Sequence, residues 1–144
     1  MNTASKLFII FASLMLVSMP SIAIEDLFKD KFNPQTKNHS EKNYEGQNFS
    51  GKNLAGFDFS NSELDKADFS GANLSGANFS GAEVEQTNFS NANLSNANFN
   101  KADLEEANLT GANITGATFK NAELEYTIWV DGKTCSADSV GSCW

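Results

Sequence analysis

Large apolar residues recur every five positions along most of this chain without a slip. The series runs Phe49, Leu54, Phe59, Leu64, Phe69, Leu74, Phe79, Val84, Phe89, Leu94, Phe99, Leu104, Leu109, Ile114, Phe119 and Leu124. Two positions before each centre a small residue is common, Ala in eleven of the sixteen units. Asn or Asp usually precedes the centre, Ser or Thr often follows it, and Gly or Asn commonly closes the unit. A period of five matches neither the helical repeat nor the two-residue alternation of a strand. It predicts a chain that turns a corner every five residues. The centre and the small residue point inward, the other three positions face water, and Gly or Asn supplies the backbone angles of the corner.

Units such as Ala72-Asn73-Leu74-Ser75-Gly76 and Ala77-Asn78-Phe79-Ser80-Gly81 resemble the A(D/N)LXX signature of the pentapeptide-repeat family. The resemblance covers 49–124 without insertion; at its entry Lys52, Phe57 and Ser62 stand in place of Ala. It implies an all-β fold, a right-handed quadrilateral β-helix with four repeats per coil and about four coils. At ~4.8 Å per coil these would span roughly 19 Å. Twenty residues per coil predicts four internal columns. They are Phe59, Phe79, Phe99 and Phe119; Phe49, Phe69, Phe89 and Leu109; Leu54, Leu74, Leu94 and Ile114; and Leu64, Val84, Leu104 and Leu124. The aromatic stripes read as core, not as a cofactor box.

Stacked repeats leave open ends that call for caps. The expected division is 24–48 for an N-terminal segment and cap, 49–128 for the solenoid and 129–144 for a C-terminal cap. Residues 25–33 (EDLFKDKFN) are expected to form a short amphipathic helix over the first coil. Ahead of them, Lys6 precedes the apolar run from Leu7 to Met19, and Pro20 and Ser21-Ile22-Ala23 follow. That reads as a secretory signal, 1–23, cleaved after Ala23. The run is short for a membrane span, which needs about 20 residues, so no stable membrane insertion is expected after cleavage. The expected location is periplasmic or secreted.

The formal charge is -8 with no Arg, and removing 1–23 takes away only Lys6. Such a chain is poorly suited to gripping phosphates, and no direct binding of nucleic acid is expected. Its outward positions are uneven. The Leu54 side carries Asn53, Asn73, Asn93 and Asn113 before its centres and no charge after them. On the Leu64 side all the flanking positions are acidic: Glu63, Glu83, Asp103 and Glu123 before the centres, Asp65, Glu85, Glu105 and Glu125 after them, with Glu106 alongside. Only a twenty-residue coil brings these acids into parallel rows, which supports that coil length independently. Like charges ~4.8 Å apart sit inside the Debye length of roughly 8 Å, and each contact costs on the order of 1 kcal/mol in water. Lys66 and Lys101 at neighbouring corners offer partial relief. Three readings of the face stand open: a solubilising surface, a docking face for a basic protein or peptide, or a weak divalent-cation site, for which calcium would want six or more oxygens.

Cys135 and Cys143 are the two cysteines. In an exported chain this pair reads as a disulfide closing a short loop, with the turn Asp131-Gly132 just before it. The tail Trp129-Val130-Asp131-Gly132-Lys133-Thr134-Cys135 resembles endings of exported bacterial pentapeptide proteins. No catalytic set, cofactor motif or metal-ligand set emerges. The lone His39 reads as a loop residue, and a solenoid side offers no cleft to separate the pKa values of paired carboxylates. The expected function is a non-catalytic exported binding or scaffold module. Two alternatives remain: a cytosolic DNA mimic acting on DNA gyrase, as some members of the family do, and a purely structural solenoid.

Overall fold

Each corner of the coils between 41 and 126 turns on one residue in the left-handed region. Across Phe69–Ala72 the Ala72 amide donates to the Phe69 carbonyl at 3.0 Å, and Gly71 has φ 63°. A lone positive φ at the third residue of such a turn makes it type II. The same position is left-handed in each unit from Glu41 to Tyr126, including Lys66, Gln86, Lys101 and Glu106, which accept strain that Gly and Asn avoid. At Gly81 the requirement is double, because a Cβ there would lie 2.6 Å from Asn61 Oδ1 of the coil below.

The computed structural model describes residues 31–143. Between corners the backbone pairs in parallel with the residue twenty positions on: Asn53 with Asn73, Glu63 with Glu83, Asp68 with Asn88, Asp58 with Asn78. Three backbone hydrogen bonds tie each rung to the next. Leu74 N donates to Asn93 O at 2.8 Å, Asn93 N to Ala72 O at 2.9 Å, and Gly76 N to Ser95 O at 2.8 Å. The result is a right-handed β-helical solenoid with no helix among the described residues.

Its core is the predicted set of columns. Phe59, Phe79, Phe99 and Phe119 stack with ring centroids 5.3, 4.9 and 5.2 Å apart. Phe49, Phe69 and Phe89 stack at 4.8 and 5.3 Å. The two columns meet edge to face, as between Phe79 and Phe89 at 5.6 Å, an arrangement that satisfies the ring quadrupoles. Where Ala gives way to Thr, the hydroxyl is used: Thr87 and Thr127 donate to the Leu64 and Leu104 carbonyls.

The ladder begins earlier than the repeat pattern predicts. Its first bridge pairs Asn38 with Asp58, so 38–48 belongs to the coils and not to a separate N-terminal segment. His39 and Tyr44 occupy centre positions and are each 2% exposed. The reading of His39 as a loop residue is therefore corrected. Its ring stacks with Phe32 at 4.6 Å and with Phe57 at 5.5 Å. Nε2 lies 2.8 Å from the Thr36 carbonyl, which can only accept, so Nε2 carries the proton; Nδ1 then accepts from the Tyr44 hydroxyl at 2.6 Å. The first units escape the pattern because their centres carry polar atoms and Lys37, Lys42 and Gln47 stand where Ala stands later. Of the helix expected over 25–33, residues 25–30 lie outside the described residues, as does the signal at 1–23. Residues 31–33 are not helical, yet Phe32 does cover the first coil, against Phe49 at 5.0 Å and Phe57 at 6.0 Å.

Past Val130 the chain leaves the coil path. Trp129 N donates to Lys133 O at 2.7 Å, closing a hairpin that returns antiparallel, Thr134 opposite Ile128 and Val140 opposite Glu123. Trp129 sits 5.3 Å from Phe119 over the end of the core. Cys135 and Cys143 are joined, their Cα atoms 5.0 Å apart, and the loop they close holds Ser139 against Leu124 N at 2.9 Å. Replacing both cysteines by Ser is expected to lower stability by about 2.5 kcal/mol, the loop-closure contribution of a bridge this short. A urea titration of the two proteins measures it, and a loss under ~0.5 kcal/mol would show that the tail is held without the bridge.

Candidate interaction face

Outside the Leu64 column, the Asn or Asp before a centre is kept by the fold itself. Asn73, Asn78 and Asn88 each accept from the amide two residues on, at 3.2, 3.2 and 3.0 Å, the local bond that suits Asn and Asp to turns. Their amide groups also donate to the coil below: Asn73 to Asn53 at 3.1 Å, Asn78 to Asp58 at 3.0 Å, Asn88 to Asp68 at 3.2 Å. The short amide side chain thus serves both the turn and the stack.

The column of Leu64, Val84, Leu104 and Leu124 is flanked differently. The bridges Glu63↔Glu83, Glu83↔Asp103 and Asp103↔Glu123 bring the predicted first row together, rung upon rung. Of these four, Asp103 makes the local turn bond, to Glu105 N at 3.0 Å; none of the three glutamates does. No amide ladder joins Glu63, Glu83, Asp103 and Glu123 to one another, although Glu63 accepts from the Asn43 amide at the start of the column. The second row is in register as well, since Lys66 N donates to Glu85 O and Gln86 N to Glu105 O, each at 2.9 Å. Asp65 Oδ1 accepts from Glu85 N across the rung at 2.9 Å, and Glu106 accepts from Gln86 Nε2 at 3.0 Å. Glu125 completes the row at the last rung, where Glu106 N donates to Glu125 O.

Glu45 also belongs to this row, one coil before Asp65, because Gly46 N donates to Asp65 O at 2.8 Å. Sequence reasoning omitted it by starting the repeat at Phe49; extending the twenty-residue step back by one coil would have found it. The two lysines differ. Lys66 reaches Glu45 at 3.9 Å, whereas Lys101, expected to relieve the charge, forms no ion pair with the face.

The rows feel each other. The Asp65 carboxyl is held above its usual range by partial burial and then by Glu45 and Asp103, against the opposing pull of the Glu85 amide and Lys66. Glu83 is raised by partial desolvation and by Asp65, Glu63 and Asp103. Glu85 is raised by desolvation and by Asp103, Asp65 and Glu105, and Glu105 by desolvation, Asp103, Glu125 and Glu106. Among the described residues no three His, Cys, Asp or Glu side chains are disposed to hold a metal ion.

The sequence profile described as "Pentapeptide repeat region" matches residues 58–129, half of the chain. No curated protein matches. Among solved structures the chain is similar to HetL, a pentapeptide repeat protein involved in heterocyst differentiation regulation from the cyanobacterium Nostoc sp. strain PCC 7120. The two are 26% identical over 67% of this chain and 59% of HetL, with TM-score 0.42. It is also similar to a pentapeptide repeat protein of the Arabidopsis thaliana thylakoid lumen, 25% identical over 80% of this chain and 91% of that one, TM-score 0.42. A third is QnrB1, a plasmid-mediated fluoroquinolone resistance protein, 30% identical over 57% of this chain and 53% of that one, TM-score 0.45. The chain thus spans little more than half the length of HetL and of QnrB1.

Proposed function

The chain belongs to the pentapeptide-repeat family, and from that premise we propose that it is a non-catalytic, exported binding module whose acidic face docks a basic protein or peptide. In this reading the solenoid is quadrilateral, about four coils deep, and the acids occupy one of its four sides. One observation carries the reading. On the other sides Asn and Asp before the centre cap the turn and ladder between coils, while here Glu63, Glu83 and Glu123 forgo the turn bond. The turns do not need these three glutamates, and a row of like charges at strand spacing opposes folding. A surface meant only for solubility would do better with its charges dispersed around the coil, where they repel less. Concentration on one side is what a complementary positive surface would use, with rows at strand spacing presenting paired carboxylates to lysine or arginine.

The test uses fluorescein-labelled octalysine and fluorescence anisotropy on the mature chain. Binding is expected at low ionic strength, weakening steeply as salt is added. The quadruple variant Glu83→Gln, Glu85→Gln, Asp103→Asn, Glu105→Gln should bind at least about tenfold more weakly, since four exposed charge contacts each contribute a few tenths of a kcal/mol or more. Equal binding by the variant would place the interaction elsewhere, and no binding at low salt would reduce the face to a solubilising surface.

A further inference from the structure

Within the coils, an Asn or Asp before a centre is followed by a large buried residue whose amide is tied to the next coil. Leu74 N donates to Asn93 O at 2.8 Å and Leu104 N to Glu123 O at 2.9 Å, after Asn73 and Asp103. Asp131 is placed otherwise. It is followed by Gly132, the one Asp–Gly or Asn–Gly step in the chain, at the exposed tip of the hairpin that returns over the last coil. Gly132 has φ 81° and brings no side chain to shield its own nitrogen, and a Cβ there would meet nothing within 4 Å. Two neighbours restrain the pair. Lys133 N donates to Asp131 Oδ1 at 3.2 Å, and Lys133 Nζ pairs with Asp131 Oδ2 at 2.9 Å. The Gly132 amide is held by the Trp129 carbonyl at 2.9 Å.

We propose that Asp131–Gly132 is a self-modification site, where the aspartyl carboxyl closes on the Gly132 nitrogen and reopens as isoaspartate, and that Lys133 holds it in check. The Gly132 nitrogen attacks Cγ of Asp131. Its proton and the carboxyl's hydroxyl leave together as water, and a five-membered succinimide forms. Water then opens the ring at either carbonyl. Opening at the side-chain carbonyl restores aspartate. Opening at the main-chain carbonyl leaves the backbone running through Cβ and Cγ, one methylene longer, with the mass unchanged. The closing step needs the neutral carboxyl, because hydroxide leaves as water and oxide does not. Lys133, the charged group that meets this carboxyl, opposes the step: hydrogen bonds from its side chain and then its amide hold Asp131 below its ordinary pKa, so less of it is neutral. They also turn both carboxylate oxygens toward Lys133. The added methylene would fall inside the hairpin closed by Gly132 N on Trp129 O and by Trp129 N on Lys133 O. It would loosen Trp129 from its place beside Phe119. This chemistry is independent of the acidic face.

The experiment is prolonged warm incubation of the native chain, then peptide mapping with a protease that cuts before aspartate and spares isoaspartate. A fraction of unchanged mass that resists cleavage at 131 should grow with time, through a species lighter by one water. It should grow faster than any change at Asp138, whose following residue, Ser139, is fully buried. Lys133→Met should raise the rate at least about threefold at about pH 6, as the carboxyl returns to its ordinary range. The two rates should converge at about pH 3, where both chains carry mostly neutral acid. Asp131→Glu keeps the charge but would need a six-membered ring, and should give no product. In the isolated isomerised chain the Trp129 amide should exchange faster than in the native one. No resistant fraction in either chain, equal rates at the higher pH, a gap that persists at the lower one, or faster change at Asp138 would each overturn the proposal.

Discussion

Phe79→Ala is expected to cost about 4 kcal/mol, the upper range for removing a large side chain from a packed core. Phe79 is fully buried and is held by four rings: Phe59 and Phe99 above and below at 5.3 and 4.9 Å, Phe69 and Phe89 edge-on at 5.8 and 5.6 Å. Truncation removes the ring's own burial and breaks both the stack and the edge contacts, each aromatic pair being worth on the order of 1 kcal/mol beyond area. The cavity cannot collapse easily, because the rungs on either side are fixed by backbone bonds at strand spacing. In a solenoid each coil leans only on its neighbours, so a fault in the middle also uncouples the two halves. Phe119→Ala, at 9% exposure in the last coil, should cost clearly less, since Trp129 and not another phenylalanine lies on the far side of its ring. Urea unfolding followed by circular dichroism compares the two; equal losses would mean that the column does not act as a column.

The second large effect is of pH. The carboxyls of Asp65, Glu83, Glu85 and Glu105 are all held above their ordinary pKa in the folded chain, by desolvation and by the neighbouring acids. A raised carboxyl binds protons more readily folded than unfolded, so its contribution opposes folding at neutral pH and fades as pH falls through the folded pKa. The midpoint of thermal unfolding should therefore climb as pH is lowered from 7 toward the ordinary carboxylate range near 4.5, the reverse of common acid destabilisation. Asp131 works the other way: hydrogen bonds from Lys133 hold it low, and that contribution is lost only as pH falls below the ordinary range. The quadruple neutralised variant should be more stable than the native chain at pH 7 and should lose most of the rise on acidification. A native chain whose midpoint is flat or falls between pH 7 and 5 would show that the rows splay apart and do not repel in the folded state.

Much of this was legible along the chain. The acids at 63, 65, 83, 85, 103, 105, 123 and 125 align only at a twenty-residue step, and the bridges run at that step. The aromatic columns followed from the same step, because Phe recurs where a ring can sit on a ring. The Cys135–Cys143 bridge was expected from two neighbouring cysteines in a chain read as exported, and the two are joined. What escaped lay at the two ends. His39 looked like a loop residue because nothing along the chain shows Phe32 and Phe57 lying against its ring, and Glu45 was missed with it. Lys66 and Lys101 hold equivalent corner positions, yet only Lys66 reaches a carboxylate, since Glu45 lies beside it on the coil below.

The amino-acid sequence by itself determined the repeat, its inward centres and the placing of nine acids on one side, because each depends on side-chain volume or charge recurring at a fixed interval. The tertiary structure alone decided where the ladder starts, which charges are answered and where the tail returns over the last coil. Those are properties of an end, set by whether a neighbouring coil or a returning tail happens to lie against a given rung. A periodic pattern describes what each unit offers its neighbours; only the folded chain shows which neighbours are there to accept it.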